Sequence, residues 1–554
     1  MSHDSRPVRP PQFITHEVSN QPPPLQGYNA YATDPVLQAC VDAHGAAAFG
    51  SRLQVYGALV GGELLEHGFE ANRHRPELQL FDRYGHRLDE VRFHPSYHAL
   101  MRTAIAHGVH ALSWQSTQRG RHVARAALSF LHHQAEAGTS CPLTMTHAGI
   151  AVLRAQPGLD PHWLSALCSD VYEATLAPIR DKRGLTLGMG MTEKQGGSDV
   201  RSNSTRAHAL GGHAFELVGH KWFFSAPMSD AFLVLAQEDG AGLSCFLLPR
   251  VRPDGSRNAI HIQRLKDKLG NWANASSEVE FCGAYAERIG APGRGVATII
   301  EMVSLTRLDC MLGSAAEMRR AFVEALHHAR HRSSFGKRLL AHPLMAHVLA
   351  DLALESEAAT RLALRIAAAI DRAEHDPHEA ALARIGTGIG KYWICRRAPA
   401  VVNEAQECLG GAGYVEESIL ARLYREAPLN SIWEGCGNIQ CLDVLRALAR
   451  EPEAGAALIR ELSRSSGQQP AYDAALRQVQ VLMHAQAGEL EFRARWLVER
   501  LALLLQAQLL IEHAHPSVAR IFCRSRLDGE SGRALGTLPV DAPVASLLEH
   551  AFPT

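Results

Sequence analysis

Apolar residues recur at three-to-four spacing from Asp34 to about Pro178, as in Pro35-Val-Leu-Gln-Ala-Cys-Val and Val123-Ala-Arg-Ala-Ala-Leu-Ser-Phe-Leu131. That period belongs to helices burying one face. From Gly184 to about Ile289 the runs turn short, alternating or β-branched: Phe215-Glu-Leu-Val, Phe232-Leu-Val-Leu-Ala, Ser244-Cys-Phe-Leu-Leu-Pro and Ser277-Glu-Val-Glu-Phe. Gly and Asp turns separate them, so the stretch predicts a small β-sandwich or barrel. Helical spacing returns at Gly295 in long segments, Val296–Thr306, Cys310–His331, Pro343–Ala373 and Ala380–Leu409, and continues after Arg450. The expected fold is mainly α with a central β domain. It divides into an extended arm (1–33), a helical region (34–183), a β domain (184–290), a four-helix bundle (291–450) and a C-terminal helical extension (451–554).

Composition narrows the function classes. The chain has 554 residues, 46% of them hydrophobic and 20% charged, with 56 Lys plus Arg against 57 Asp plus Glu. The near-zero balance gives no global electrostatic case for nucleic acid or membrane. Eleven scattered cysteines without a CxxC pair argue against a disulfide framework or zinc site, and for a reducing compartment. No apolar run reaches the roughly 18 residues of a membrane span, and no signal-peptide core opens the chain. A cytoplasmic protein is expected. The thirty histidines, among them His132-His133 and His327-His328, read as helical-surface residues, and no metal site is expected.

Several stretches have the chemistry of a site. Ser431-Ile-Trp-Glu-Gly-Cys-Gly-Asn-Ile439 wedges the Glu434 carboxylate between an aromatic ring and a glycine at a loop-to-helix junction. Poor hydration there raises a carboxyl pKa towards that of a working base; a Glu in a first helical turn is the plainer alternative. Gly188-Met-Gly-Met-Thr-Glu-Lys-Gln-Gly-Gly-Ser-Asp199 ends a strand at Met191, offers the Thr192 hydroxyl and opens its backbone at Gly196-Gly-Ser198. A flavin or phosphate suits it, and a plain surface turn reads the same. Gly219-His-Lys-Trp-Phe-Phe-Ser225 sets an apolar wall beside a hydroxyl, with core aromatics as the alternative. Arg332 and Lys337 in Arg330-His-Arg-Ser-Ser-Phe-Gly-Lys337 suit a pyrophosphate or a solvated helix end. Leu409-Gly-Gly-Ala-Gly-Tyr414 has more glycine than a helix C-cap needs. Gly386-Thr-Gly-Ile-Gly-Lys391 mimics a nucleotide loop but lies within a helical pattern, and reads as a close helix–helix contact.

In this order the pieces resemble the acyl-CoA dehydrogenase family across roughly residues 34–450. Met191-Thr-Glu-Lys-Gln-Gly-Gly-Ser-Asp199 is similar to the family's flavin loop, Phe223-Phe-Ser225 to its Trp-Ile-Thr, Arg332-Ser-Ser-Phe-Gly336 to its Arg-x-x-Phe-Gly, and Trp433-Glu-Gly-Cys436 to its Tyr-Glu-Gly-Thr. Leu409–Tyr414 is similar to its Leu-Gly-Gly-x-Gly-Tyr. Lys194, Phe223, Cys436-Gly437 and Cys441 depart from the usual residues. The resemblance implies an FAD-dependent enzyme with Glu434 as base. Its flavin would lie among Met189, Met191, Thr192, Gly197, Ser198, Phe223, Phe224, Ser225, Trp433, Cys436, Gly437 and Asn438. Arg332, Phe335, Gly410 and Gly411 would serve the cofactor as well, Arg332 and Phe335 across a subunit interface. In one family branch the base precedes the Arg of the helix after the β domain; Thr306 stands there in this chain.

The extension after Arg450, with Leu88-Asp-Glu-Val-Arg-Phe-His-Pro95, resembles the branch associated with the adaptive response to DNA alkylation. That branch implies a homotetramer, weak isovaleryl-CoA-type dehydrogenation and double-stranded DNA binding through the extension. A purely metabolic branched acyl-CoA dehydrogenase is the alternative. Residues 451–554 contain ten Arg, no Lys and twelve acidic residues, so only a local stripe could meet phosphates. Arg493, Arg495 and Arg500, with Arg520, Arg524 and Arg526, are its candidates, Arg520 and Arg524 at helical spacing.

Overall fold

The computed structural model describes residues 15–552, so the first fourteen positions of the expected arm lie outside the described residues. Helices from Pro35–Ala43 to Pro161–Leu167 precede the β region. They are interrupted by the antiparallel hairpin Glu77–Phe81 and Arg87–Arg92, where the sequence pattern predicts helix throughout. Neither strand alternates cleanly: most of their residues are half-buried, and Leu78, Leu80 and Val91 pack against the barrel's apolar cluster.

The β region closes on itself. Strand Ala231–Glu238 pairs with Arg206–Gly211, which pairs with Ala214–Ser225, then Ser276–Ile289, then Gly242–Pro249, which returns to Ala231–Glu238. Of the two expected forms it is therefore a barrel, with Leu187–Gly190 and Ile260–Leu265 added outside. Phe224, Phe232, Phe246 and Phe281 fill the interior. Gly188 and Gly190 let the first strand lie against Phe232 and Phe224, where a Cβ would come within 2.4 and 2.6 Å of a ring carbon.

One unbroken helix, Gly295–His331, replaces two expected segments and packs against Pro343–Arg372, Pro377–Cys408 and the N-terminal helices. The buried Arg125–Asp309 pair, with Thr144 bonded to the same carboxylate at 2.5 Å, ties the N-terminal helices to its middle. Gly386 and Gly390 bring Pro377–Cys408 against Ile366 and Met311, the expected helix–helix contact. The extension, Pro452–Ser463 through Val544–Ala551, shares one continuous apolar core with these helices. None of the helices among the described residues is long and apolar enough to cross a membrane.

His132 and His133 are not surface residues. His132 is held between Tyr56 (2.7 Å) and Thr139 (2.9 Å), and His133 faces Glu317 at 3.3 Å. An imidazole neutralises cheaply, and burial pushes His132 down to about 4.

Candidate active site

Glu434 lies three residues before helix Gly437–Arg450, so it is not a first-turn residue. Its φ is +59°, a left-handed conformation that an L side chain adopts only when its surroundings impose it. Arg307 Nε and Gln440 Nε2 each donate to the Glu434 carbonyl at 3.0 Å. The Lys391 ammonium, 1% exposed, donates to the carbonyls of Asn430, Trp433 and Gly435 at 3.0, 2.9 and 2.9 Å. The loop is thus fastened from two bundle helices. Lys391 was legible only as the end of a glycine-rich helix contact. The signal lay in a lysine on a helix otherwise buried all round, which requires carbonyls or a carboxylate around it.

The carboxylate emerges from this clamp beside Thr306, whose hydroxyl donates to Glu434 Oε2 at 2.7 Å. Burial pushes the Glu434 carboxyl above the usual carboxylate range, while the Thr306 bond and the charges of Lys391 and Arg307 pull it back. Arg307 also reaches Asp443 at 2.9 Å, and Arg384 joins Asp443 to Glu451. Two cations behind the loop therefore have their own carboxylate and leave Glu434 as the side chain that faces inward.

Opposite stands the loop after Leu187–Gly190. Glu193, fully buried, pairs with Lys221 at 2.8 Å and accepts from the amides of Ser204 and Thr205. Asn203 Nδ2 donates to the Met191 carbonyl, and the Trp222 amide to that of Thr192. These bonds hold the Met191–Gly197 loop beside strand Ala214–Ser225, with Thr192 and Gly197 so close that a Cβ at 197 would meet Thr192 Oγ1 at 2.4 Å. Glu193 and Lys221 are the brace that sequence reasoning missed, although both stand inside the motifs it singled out.

Phe223 is 53% exposed with Lys266 Nζ 4.6 Å over its ring, so it presents an open aromatic face. Phe224, its neighbour, is fully buried against Phe232 in the barrel. Successive strand residues point to opposite faces, so the expected cofactor role of Phe224 is corrected to a core role. Ser225 Oγ lies 3.2 Å from Ser276 Oγ, and the Cys141 thiol sits near Ser225 and Asn274. Lys268 bonds the Asn274 carbonyl and lies 3.3 Å from Ser276 Oγ, and its ammonium is pulled down to about 8 by burial. Cys141 is pushed up to about 12 by burial, with Lys268 opposing and Glu434 adding to the shift.

The remaining expected residues are elsewhere in the protomer. Arg332 caps the end of Gly295–His331, 26 positions beyond Thr306 and thus about 39 Å along that helix. There it donates to the Asn20 carbonyl at 2.8 Å, and Phe335 projects 96% exposed from the following turn. Gly410 and Gly411 follow helix Pro377–Cys408, whose path from Lys391 to its end is about 26 Å. Cys436 and Asn438 are exposed at the start of Gly437–Arg450, and Arg495 of the extension donates to Asn438 Oδ1 at 2.8 Å.

The arginine stripe is not assembled as expected. Arg526 is 11% exposed and paired with Asp351 and, at 2.9 Å, Glu355. Arg524 is held by Glu530 (2.6 Å) and Asp541 (2.8 Å) in a π-helical turn that breaks its register with Arg520. Arg500 donates to the carbonyls of Arg526 and Leu527. Arg520 and Arg495 are exposed, and Arg493 has an exposed pair with Glu489 and lies 5.0 Å over the Trp496 ring.

Known proteins share this layout. Residues 20–174 match the family model for the adaptive response protein AidB N-terminal domain, 188–283 that for the acyl-CoA dehydrogenase middle domain, and 293–449 that for the acyl-CoA dehydrogenase C-terminal domain. The chain is 48% identical to AidB of Escherichia coli (strain K12) over 521 residues, 94% of this chain and 95% of that protein. It is 30% identical to acyl-CoA dehydrogenase family member 11 of Caenorhabditis elegans over 499 residues, 84% of this chain and 80% of that protein. The structure of Caenorhabditis elegans ACDH-11 in complex with C11-CoA superposes with a TM-score of 0.86 at 26% identity, covering 95% and 96% of the two chains. A solved chain titled Bd2924 apo-form gives a TM-score of 0.82 at 30% identity, covering 90% of this chain and all of that one. On that breadth of likeness, the chain belongs to the acyl-CoA dehydrogenase family of flavin oxidoreductases.

Proposed function

We propose that this protein is an FAD-dependent acyl-CoA dehydrogenase that uses Glu434 to remove the proton α to a thioester carbonyl. The observation behind it is Glu434 itself, held in a strained turn with its carboxylate desolvated and bonded to Thr306. The donor set suits an isoalloxazine ring. Thr192 supplies a hydroxyl at the loop edge, Phe223 an open aromatic face, Ser225 a second hydroxyl, and Gly196 and Gly197 unobstructed backbone. When bound, the flavin would supply the acceptor for the hydride that leaves the β carbon.

The protein's own contribution is the proton. Thr306 Oγ lies 2.7 Å from Glu434 Oε2 and 2.9 Å from the Val303 carbonyl. While Glu434 is ionised, the hydroxyl donates to it. Once Glu434 takes the substrate proton, its carboxyl donates to Thr306, whose own hydrogen turns to Val303. Both protonation states thus keep a partner. Arg332 and Phe335 act on the cofactor of a neighbouring protomer in this reading, because roughly 39 Å of helix separates them from their own Glu434. A homotetramer supplies that neighbour.

Glu434→Gln tests the assignment. It is expected to abolish exchange of the substrate α-hydrogens with solvent while leaving flavin bound; exchange that persists would falsify the base.

A second role is proposed on the likeness to AidB: binding of double-stranded DNA and protection against alkylation damage. Arg493, Arg495 and Arg520 carry it in this reading, since Arg524 and Arg526 are committed to carboxylates. A salt-dependent duplex DNA shift, lost in the triple Glu variant of those three, supports this; unchanged binding sinks it.

A further inference from the structure

Two adjoining hollows of about 240 and 260 Å³ lie between the Glu77–Arg92 hairpin, helix Pro95–Ala106 and the barrel. Both include Arg250 and Leu176, and neither is lined by Glu434, Thr306, Trp433 or Phe223. The larger one is walled by Phe93, Tyr97, Met101, Pro142, Tyr172 and Met228. We propose that this larger hollow is a binding site for a small monocarboxylate with a compact apolar body, its carboxylate on the Arg250 guanidinium.

The argument begins with charge. A guanidinium carries five N–H donors, and among the described residues that of Arg250 makes one hydrogen bond, to the Met228 carbonyl at 3.2 Å. Each nearby carboxylate already has other partners. Asp230 is engaged by Lys182 and by the Thr186 amide at 2.8 Å. Asp89 takes Arg87 at 2.7 Å, Glu90 takes Arg257 at 2.6 Å, and Glu173 takes Arg183 at 3.0 Å. Arg250 is the charge left over, at the mouth of an apolar chamber. The Ser229 hydroxyl, in a side chain only 3% exposed that also lines the hollow, has no hydrogen-bond partner either. An incoming carboxylate supplies an acceptor for the free Arg250 donors, and Ser229 is a second unpartnered polar group in the same wall.

The same surroundings set the class of ligand. Burial pulls the Arg250 guanidinium down to about 10, with Arg257 adding and Asp230, Glu90 and Asp89 opposing, so one further negative charge is favoured. Glu90 and Glu173 also line the larger hollow and repel a dianion such as a phosphate monoester. At about 30 Å³ for each water-sized group, 260 Å³ has room for about nine such groups, the size of benzoate. Pro142 and Ala226 form part of the wall and directly follow Cys141 and Ser225 in the chain, while Glu434 and Thr306 line neither hollow. None of these residues supports the dehydrogenase assignment, and the two readings stand or fall separately.

Equilibrium dialysis of the flavin-loaded protein against radiolabelled benzoate tests the site, with benzamide and inorganic phosphate as competitors. Saturable binding near one per chain is expected, unaffected by Glu434→Gln and weakened about tenfold or more by Arg250→Gln, the loss of one charged hydrogen-bonding partner. Benzamide and phosphate should compete poorly. Absent binding, equal binding to Arg250→Gln, equal competition by benzamide or phosphate, or loss of binding in Glu434→Gln overturns the proposal. Should Arg250→Gln fail to fold, a wild-type crystal soaked in 4-bromobenzoate decides. A bromine anomalous peak between Tyr97 and Met228 supports the site, and a peak elsewhere, or none, overturns it.

Discussion

A carboxylate at φ +59° costs of order 1–3 kcal/mol, and the clamp that keeps it there is the feature that separates Glu434 from an ordinary loop glutamate. Its carboxyl pKa is set by opposing influences, burial raising it and Thr306 lowering it. Removing the hydroxyl therefore has a definite sign. In Thr306→Val both forms lose a partner, but the ionised form loses the stronger, charge-assisted bond, so the pKa rises further and α-proton removal by Glu434 shifts to higher pH. A bond to a charged group is worth about 1.5–3 kcal/mol and a neutral one about 0.5–1.5, so the acid limb of the pH profile for α-proton exchange is expected to move up by about one unit. A profile that does not move removes Thr306 from the proton step. Lys391→Met acts differently, since it orphans three carbonyls of the loop at once. Exchange should collapse at every pH, and denaturant titration should show a loss of several kcal/mol at about 1–3 kcal/mol per unsatisfied group.

At the scale of elements, the Glu434 loop is launched by helix Ile419–Glu426, which ends in an unusual acid. Glu426 is 2% exposed, one carboxyl oxygen has no partner, and burial pushes it up to about 8, with Arg422 opposing and Glu136 and Glu317 adding. The folded protein therefore keeps a proton there that the unfolded chain releases near 4.5. Between those values the folded state binds more protons, so stability falls as pH rises through about 4.5 to 8. Glu426→Gln should flatten that slope and raise the unfolding midpoint at pH 8 above wild type; a slope unchanged by the substitution assigns it to other groups. The motifs around these elements were legible because each depends on local chemistry, a hydroxyl and glycines in one loop or a carboxylate between Trp433 and Gly435. The barrel and the long helices were legible because their periods are long and regular. The hairpin was not, since neither of its short strands gives a period that competes with the flanking helices. Phe224 was misassigned because a motif names both aromatics of a strand, while the pleat allows only one of them to face outward.

The molecule as a whole explains why the extension could not be read from its charges. Summed along the chain, Arg526 looks like part of a basic stripe, yet it crosses to helix Pro343–Arg372 and neutralises Asp351 and Glu355, both nearly inaccessible. Arg365 of the same helix reaches back to Glu461 of the extension at 2.8 Å while also holding Glu379. With one apolar core running beneath, these pairs make the extension part of the bundle's fold rather than an appended module. Removing one partner of a buried pair leaves an uncompensated charge at about 3–5 kcal/mol. Arg526→Met should accordingly lower stability by that amount in denaturant titration, and adding Asp351→Asn and Glu355→Gln should restore much of it. Arg520→Glu, at an exposed position without a carboxylate partner among the described residues, should change stability by less than about 0.5 kcal/mol. The comparison separates two ways of losing DNA. If the extension binds a duplex through its surface, Arg520→Glu weakens binding at unchanged stability. Arg526→Met then weakens it only as far as the fold is lost, with the triple variant recovering both together. Recovery of stability without recovery of binding would return Arg526 to the phosphate-contacting set.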